Sequence, residues 1–510
     1  MQTEIYLDTN ATSPVLPAAA AAAMAAMQDG FGNPSSSHAT GLRARALREG
    51  VRASAGRIVG AGNGRLMFNS GATEGIQTAV LSALCAVRER RARGEPCGDV
   101  VLIGATEHKA VPESLAHWNR LLGTGLELRV LPVDGDGRHR LDVLRALAPR
   151  VAMVCTMAAN NETGVVSDLR GIEAVLHETG SDALWLVDCV QALGKLPLDL
   201  AASRIDYAPF SGHKLYAPKG IGMLYVRQGA PYTPLMCGGG QEDGQRSGTE
   251  NMAGIAALGA VFAALERGDT FRDAAALVAC RARLMTALEA ALPGIVFNAP
   301  LAQSLPTTIN FSVPDVSSAT LLDLFDAAGM RVSAGSACSA GKAASSYVLD
   351  AMGVPAWRSA AAVRLSFGAL QGDAALDLAC ERIARCGAVL ATPMQADGAE
   401  PAHDCQTDTT VLVAADAARD WLAAHPDAIV IDVRDLREHS VAGDVRLHGR
   451  AVQNVPLACF AGHAPSWLGA TAPLLFVCRS GMRSARAAHA LRAMGHPDAW
   501  SLVGGFALAT

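Results

Sequence analysis

Three short stretches of this 510-residue chain hold side chains able to make or break covalent bonds. Ser211-Gly212-His213-Lys214 follows the apolar run Tyr207-Ala-Pro-Phe210 and precedes Ala217-Pro-Lys-Gly-Ile-Gly222. A lysine in such a tight, Gly/Pro-punctuated turn suits Schiff-base formation with a carbonyl cofactor. By itself the motif fits a solvated surface lysine equally well. Cys338 lies in Ser333-Ala-Gly-Ser-Ala-Cys-Ser-Ala-Gly341, where small residues have little to pack and a loop is free to move. Cys478 opens Cys478-Arg479-Ser480-Gly481-Met482-Arg483-Ser484, a basic loop entering the helical run Ala485-Arg-Ala-Ala-His489. A thiol at a helix N-terminus beside two arginines is expected to ionise easily. The loop's backbone N–H groups form a nest for an anion or a persulfide.

Other motifs strengthen the reading of Lys214. Ser70-Gly71-Ala72-Thr73-Glu74-Gly75 joins a strand-like Leu66-Met-Phe68 to a helical run, which is the pattern of a phosphate cradle or, more simply, of a capped helix. Asp188 ends the apolar run Leu184 to Val187 and precedes Gln191. A carboxylate there suits a protonated pyridine nitrogen, with a helix cap as the plain alternative. Glu107-His108-Lys109 follows the strand Val100 to Ile103, and His108 is placed to stack on a ring and move protons, or to serve structurally. These motifs end successive strands, and open α/β sheets bind ligands at the carboxyl ends of their strands.

The elements that carry these residues follow from patterning. Asp99-Val-Val-Leu-Ile103, Leu126-Glu-Leu-Arg-Val-Leu131, Val151-Ala-Met-Val-Cys155 and Ala183-Leu-Trp-Leu-Val187 alternate with helical stretches, as in an α/β domain with a mostly parallel sheet. A smaller α+β part contains strands near Thr308–Ser312 and Val363–Phe367. The polar stretch 391–409, with Pro393 and Pro401, reads as a linker spanning about 20–25 Å if flexible. A fresh α/β pattern over 410–510 follows it. Half the residues are apolar, 18% are charged, and the net charge of −5 leaves no footprint for nucleic acid. No apolar run is long enough to span a bilayer, and Ala18 to Met27 lacks the basic flank of a signal peptide, so a cytoplasmic location is expected. The 12 cysteines include no C-x-x-C pair, which argues against a disulfide framework or a metal site. Cys155 and Cys189, within apolar runs, read as buried hydrophobes.

From Tyr6 to about Leu390 the chain resembles the cysteine desulfurases, pyridoxal-phosphate enzymes of the class V aminotransferase type. Tyr6-Leu-Asp-Thr-Asn-Ala-Thr12, Gly32-Asn-Pro-Ser-Ser-Ser-His38, Gly71-Ala-Thr-Glu74, Thr106-Glu-His-Lys109, Asn160-Asn-Glu-Thr-Gly164, Val187-Asp-Cys-Val-Gln191, Ser211-Gly-His-Lys214, Arg246-Ser-Gly-Thr249, Gly335-Ser-Ala-Cys338 and Arg364-Leu-Ser-Phe367 carry the resemblance. Each is short, but their ordered succession is specific. The resemblance implies a fold-type I pyridoxal-phosphate enzyme, with a large cofactor domain over about 15–255 and a small domain from 1–14 plus 256–390. It implies Lys214 as the Schiff-base lysine, Asp188 on the pyridine nitrogen, Gln191 on the ring oxygen and His108 stacked on the ring. Thr73, Ser211 and His213 would bind the phosphate, joined by Thr249 from the other subunit of a homodimer, and Ala72 and Asn161 would also contact the cofactor. Asn161 and Arg364 would hold the substrate carboxylate, and Cys338 would accept sulfur from L-cysteine. Two departures are Cys237, where the family commonly carries His before Gly238-Gly-Gly240, and Thr9-Asn10, neither expected to perform the essential chemistry. A selenocysteine lyase or an aminotransferase is the alternative within the same cofactor class.

From about Thr410 onward the chain resembles a rhodanese domain, on Asp432-Val-Arg434, Glu438, Val455-Pro-Leu457, the Cys478 loop and Val503-Gly-Gly-Phe506. Cys478 and Arg483 are spaced C-x4-R, a smaller ring than the C-x5-R that holds phosphate in tyrosine phosphatases. The resemblance implies Cys478 as a persulfide-bearing cysteine able to take sulfur from Cys338 and pass it to an acceptor protein or small thiol, iron–sulfur cluster assembly among the open destinations. Where rhodaneses usually carry Gly-His-Ile-Pro-Gly-Ala, this chain reads Gly443-Asp-Val-Arg-Leu-His-Gly449. The alternative for this part is a non-catalytic docking module.

Overall fold

The apolar runs of the first half assemble into one seven-stranded sheet. In the computed structural model, which describes residues 3–335, 345–392 and 409–509, its order is Arg65–Asn69, Gly222–Val226, Tyr207–Ser211, Leu184–Asp188, Val151–Met157, Val100–Gly104 and Glu127–Leu131. Only Gly222–Val226 runs antiparallel to its neighbours. Strands Val100–Gly104 and Val151–Met157 are buried along their whole length because helices cover both faces. Side chains alternate between those faces: Trp185 and Val187 join one apolar cluster, and Leu186 between them joins the other. Since the strands are parallel, the ends at Gly104, Met157, Asp188 and Ser211 share one edge of the sheet. That edge is where the chemistry-bearing motifs were expected.

The smaller part is an antiparallel sheet ordered Ser333–Ala334, Val363–Ser366, Thr308–Ser312 and Val296–Phe297. Helices Ala274–Ala291, Ser318–Ala327 and Asp373–Ala391 accompany it. The N-terminal strand Ile5–Tyr6 pairs in parallel with Met330–Arg331, and Ile5 and Leu7 are buried in this core. One boundary differs from the sequence reading. Helix Met252–Arg267 crosses residue 255 and packs against helices Pro17–Gln28 and Ala39–Val59, with its buried residues through Ala264 in the large-domain cluster. An almost uniformly apolar helix carries no sequence mark of which core it enters.

After the linker, whose residues 393–408 lie outside the described set, comes a six-stranded sheet. Its order is Leu412–Val413, Ala499–Leu502, Leu474–Val477, Ile429–Asp432, Arg450–Asn454 and Arg446–Leu447, parallel except for the last pair. This unit is docked on the small domain. Helix Leu436–Ala442, opened by a capping box between Asp435 and Glu438, puts Val441 into the small-domain apolar cluster, where it is fully buried. Arg437 Nη2 donates to the Thr392 carbonyl at 3.2 Å. Among the described residues no helix is long and apolar enough to cross a membrane.

Candidate active site

The carboxyl edge of the large sheet opens into a cavity of about 740 Å³. Ala72, Thr73, His108, Asn161, Asp188, Gln191, Ser211, His213, Lys214 and Arg364 all line it. The structure thus brings together residues spread over nearly three hundred positions. Thr249 is exposed and does not line this cavity. Cys338 lies outside the described residues, while Ser345 and Tyr347, just beyond it in sequence, line the cavity. Cys237 is exposed.

Lys214 sits in a short helical turn directly after strand Tyr207–Ser211, and its Nζ donates to the carbonyls of Asn10 and Ala11, both at 2.6 Å. His213 Nδ1 lies 3.2 Å from Thr12 Oγ1. Burial, with Lys214 and Lys219 adding repulsion, pushes His213 down to about 4, so its imidazole is neutral near pH 7. Ser211 ends its strand beside the N-terminus of helix Ala72–Ala92. The first turn of that 21-residue helix, with Ser211 and His213, offers backbone N–H groups and neutral donors suited to a phosphate. Glu74 does not compete for this role: it accepts from the Ser70 N–H at 2.8 Å and pairs with Arg246.

Asp188 is buried, and its Oδ1 accepts the Val190 N–H at 2.9 Å. Burial raises its pKa, opposed by that N–H, His108 and Lys214. A buried carboxylate in this state gains most from a cationic partner, which a protonated ring nitrogen would be. Glu107, also buried, is pushed well above the ordinary carboxyl range by burial and by Asp188. His108 Nδ1 accepts the Ala110 N–H at 3.2 Å, which leaves Nε2 as the donor. Arg364 is 1% exposed; its Nη2 donates to Asp8 at 2.6 Å and its Nη1 to the Asn161 carbonyl at 3.0 Å. Its Nε has no hydrogen-bond partner among the described residues. A second guanidinium face next to a cavity suits a carboxylate. The donor set for an anion, the carboxylate for a ring cation and the amine for a carbonyl fit pyridoxal phosphate. Sequence reasoning underrated Asn10. Its carbonyl accepts from Lys214 and from Gln191 Nε2, its Oδ1 from Lys195, and its Nδ2 donates to Thr308 Oγ1 and to the Asn161 carbonyl. Its presence in the Tyr6–Thr12 motif was the available signal.

In the Cys478 loop the arginines make other contacts than the sequence suggested. Cys478 follows strand Leu474–Val477 and is 1% exposed. The N–H groups of Gly481 and Ser484 approach its Sγ at 3.2 and 3.4 Å. Gly505 accepts no side chain: a Cβ there would stand 1.9 Å from the Cys478 carbonyl, and its φ is +53°. The Gly504-Gly505 pair therefore lets Phe506 N–H reach that carbonyl at 2.9 Å. Arg479 pairs with Asp323 at 2.6 Å and Asp326 at 3.0 Å, both on helix Ser318–Ala327 of the small domain. Arg483 pairs with Glu438 at 2.5 Å and lies 3.8 Å from Asp323. Backbone donors surround the sulfur, while the arginines bind carboxylates, two of them from the neighbouring domain. Behind the loop, Asp432 is fully buried and accepts from Arg434 and from His439 at 2.8 Å.

Known proteins share this architecture. Residues 5–377 match the family model for class-V aminotransferases, and residues 414–508 match that for rhodanese-like domains. A cysteine desulfurase of Gluconacetobacter diazotrophicus is 39% identical over 377 residues, covering 73% of this chain and 90% of that protein. One of Cereibacter sphaeroides is 39% identical over 365 residues, covering 71% and 90%. Among solved structures, a NifS-like protein superposes with a TM-score of 0.67 at 30% identity, covering 76% of this chain and 99% of its own. The class-V family uses pyridoxal phosphate. With this cavity and its second α/β unit, this chain belongs to the class-V aminotransferase family, among the cysteine desulfurases, and carries a C-terminal rhodanese-like domain.

Proposed function

We propose that the chain converts L-cysteine to L-alanine, places the released sulfur on Cys338, and passes it to Cys478. The observation that carries this reading is the convergence of Lys214, Asp188, Gln191 and Arg364 on one cavity beside a phosphate-suited helix terminus. Pyridoxal phosphate, when bound, supplies an electron sink that lets an amino acid lose its Cα proton and loosens its Cβ–sulfur bond. Lys214 Nζ would hold the cofactor and, once released, take that proton; the Asn10 and Ala11 carbonyls orient the amine. Arg364 and Asn161 would fix the substrate carboxylate, and His108 would move a proton at Nε2. Cys338 Sγ would attack the substrate sulfur, so that an S–S bond forms as the S–Cβ bond breaks and a proton goes to the alanine methyl. The sum, L-cysteine plus a thiol giving L-alanine plus a persulfide, needs no outside oxidant.

Transfer to Cys478 would then be thiolate attack on the outer persulfide sulfur, with the Gly481 and Ser484 N–H groups holding the product. The docking of the Cys478 loop on the small domain supports transfer within one molecule. We further propose a homodimer in which Thr249 from a second copy completes the phosphate site, and a cytoplasmic protein whose final acceptor is a protein or small thiol. The test is to feed L-cysteine, measure alanine, and map persulfide by mass spectrometry. Alanine should disappear in Cys338→Ser and persist in Cys478→Ala. Undiminished Cys478 persulfide in Cys338→Ser refutes the relay, and undiminished alanine refutes the role of Cys338.

A further inference from the structure

Lys195 takes no part in the roles assigned above, yet its ammonium reaches the centre of the site. It follows Gln191 by four residues in the turn after strand Leu184–Asp188. Gly194, at φ +71°, lies so close to Leu215 that a Cβ would stand 2.4 Å from its Cδ1. That left-handed glycine turns the chain so that the Lys195 side chain runs back under Gln191. Lys195 Nζ donates to Gln191 Oε1 at 2.6 Å and to Asn10 Oδ1 at 3.4 Å. On its other side the Gln191 amide donates from Nε2 to the Asn10 carbonyl at 3.1 Å.

These two contacts leave the amide a single orientation. A carbonyl only accepts, so the atom facing Asn10 is the nitrogen; the oxygen therefore faces Lys195, whose amine can donate to it in either protonation state. Nε2 has two hydrogens and one is used, while Gln191 lines the cavity. The charged groups that face Lys195 are Lys214 and Arg364, the latter paired with Asp8. Burial, then these two cations, pushes the Lys195 amine down to about 7. We propose that Lys195 is a positioning residue: it locks the Gln191 amide with its N–H toward the cofactor's ring oxygen and adds a partly buried donor beneath that oxygen's partner. This rests on the reading of Gln191 as the contact to the ring oxygen.

The test uses the cofactor-loaded protein and reads its absorbance rather than its turnover. A donor on the ring oxygen favours the anionic, less protonated chromophore, so losing it raises the midpoint of the pH-dependent absorbance change. Lys195→Met should raise that midpoint by about half a unit to one unit and weaken pyridoxal phosphate binding about three- to tenfold. Lys195→Arg, which keeps a donor, should restore most of the shift. Gln191→Ala should shift the midpoint the same way, and Gln191→Ala with Lys195→Met should shift it no further. A wild-type midpoint in Lys195→Met alongside a shifted Gln191→Ala overturns the role of Lys195 alone. Unshifted midpoints in both overturn the reading of Gln191 as well. If Lys195→Met does not fold, Lys195→Ala, which admits water in place of the stem, takes its part.

Discussion

The docking of the C-terminal domain combines one buried valine with a set of half-exposed ion pairs, and the two contributions differ enough to separate. Asp323 is the cleaner electrostatic target, because Asp326 also holds Arg331 at 2.7 Å. Asp323 and Arg479 are 30% and 37% exposed, so their 2.6 Å pair contributes about 0.2–1 kcal/mol. Arg479 keeps Asp326 when Asp323 is lost. Asp323→Asn should therefore raise the undocked population only about 1.5- to fivefold. Val441 is fully buried against small-domain side chains. Val441→Ala removes two methyl groups' worth of contact and leaves a partial void, costing about 1–3 kcal/mol, or at least about fivefold in the same equilibrium. Hydrogen–deuterium exchange on peptides spanning 318–327 and 436–442 reads this opening directly. Exchange should rise modestly in Asp323→Asn and more in Val441→Ala, and raised salt should mimic only the first. If Asp323→Asn opens the contact more than Val441→Ala, charge rather than apolar burial holds the domains and the reasoning fails.

Asp432→Asn leaves Arg434 and His439 facing a weaker acceptor in a buried site, and should destabilise the C-terminal domain by about 3–5 kcal/mol. Its tryptophan-fluorescence transition should fall while loss of the cofactor band on heating moves less. Gly505→Ala should abolish sulfur transfer from thiosulfate to cyanide by displacing the Cys478 carbonyl, measured as thiocyanate formed. His139, buried and pushed from its ordinary 6.5 to about 4, is neutral in the native protein. The unfolded chain takes up a proton there as pH falls below 6.5 and the native one does not, so stability should decline between pH 6.5 and 4. Denaturant melts of His139→Gln should show a flatter dependence over that window; an unchanged slope would exclude His139 as its source.

Asp188, Ser211 and Lys214 were legible because each stands at or just past the end of an apolar strand, a place sequence marks by a sudden polar residue. Thr73 and His108 were legible for a related reason, as polar residues soon after strands Arg65–Asn69 and Val100–Gly104, Thr73 in the first turn of helix Ala72–Ala92 and His108 in a loop. Asn10 and Lys195 were not, since their importance lies in contacts separated by some 180 residues and in which way an amide is turned. The same holds for Arg479. Its position beside Cys478 suggested a partner for the thiolate, but the acids that claim it sit 150 residues away on another domain's helix. The assignment of helix Met252–Arg267 shows a third kind of gap, because an apolar helix fits either adjoining core and only packing decides.

The helix Leu436–Ala442 belongs to the C-terminal domain by chain order and to the small domain by what Val441 touches. The chain's units of sequence and its units of cohesion thus do not coincide. A fragment ending before the linker keeps every residue of the cofactor cavity, yet it exposes the apolar seat that Val441 fills. Such a fragment should be stickier than its surface composition suggests. The excised C-terminal domain would in turn carry Val441 and Arg479 without their partners. Any measurement of either half in isolation is a measurement of a newly uncovered face as much as of an active site.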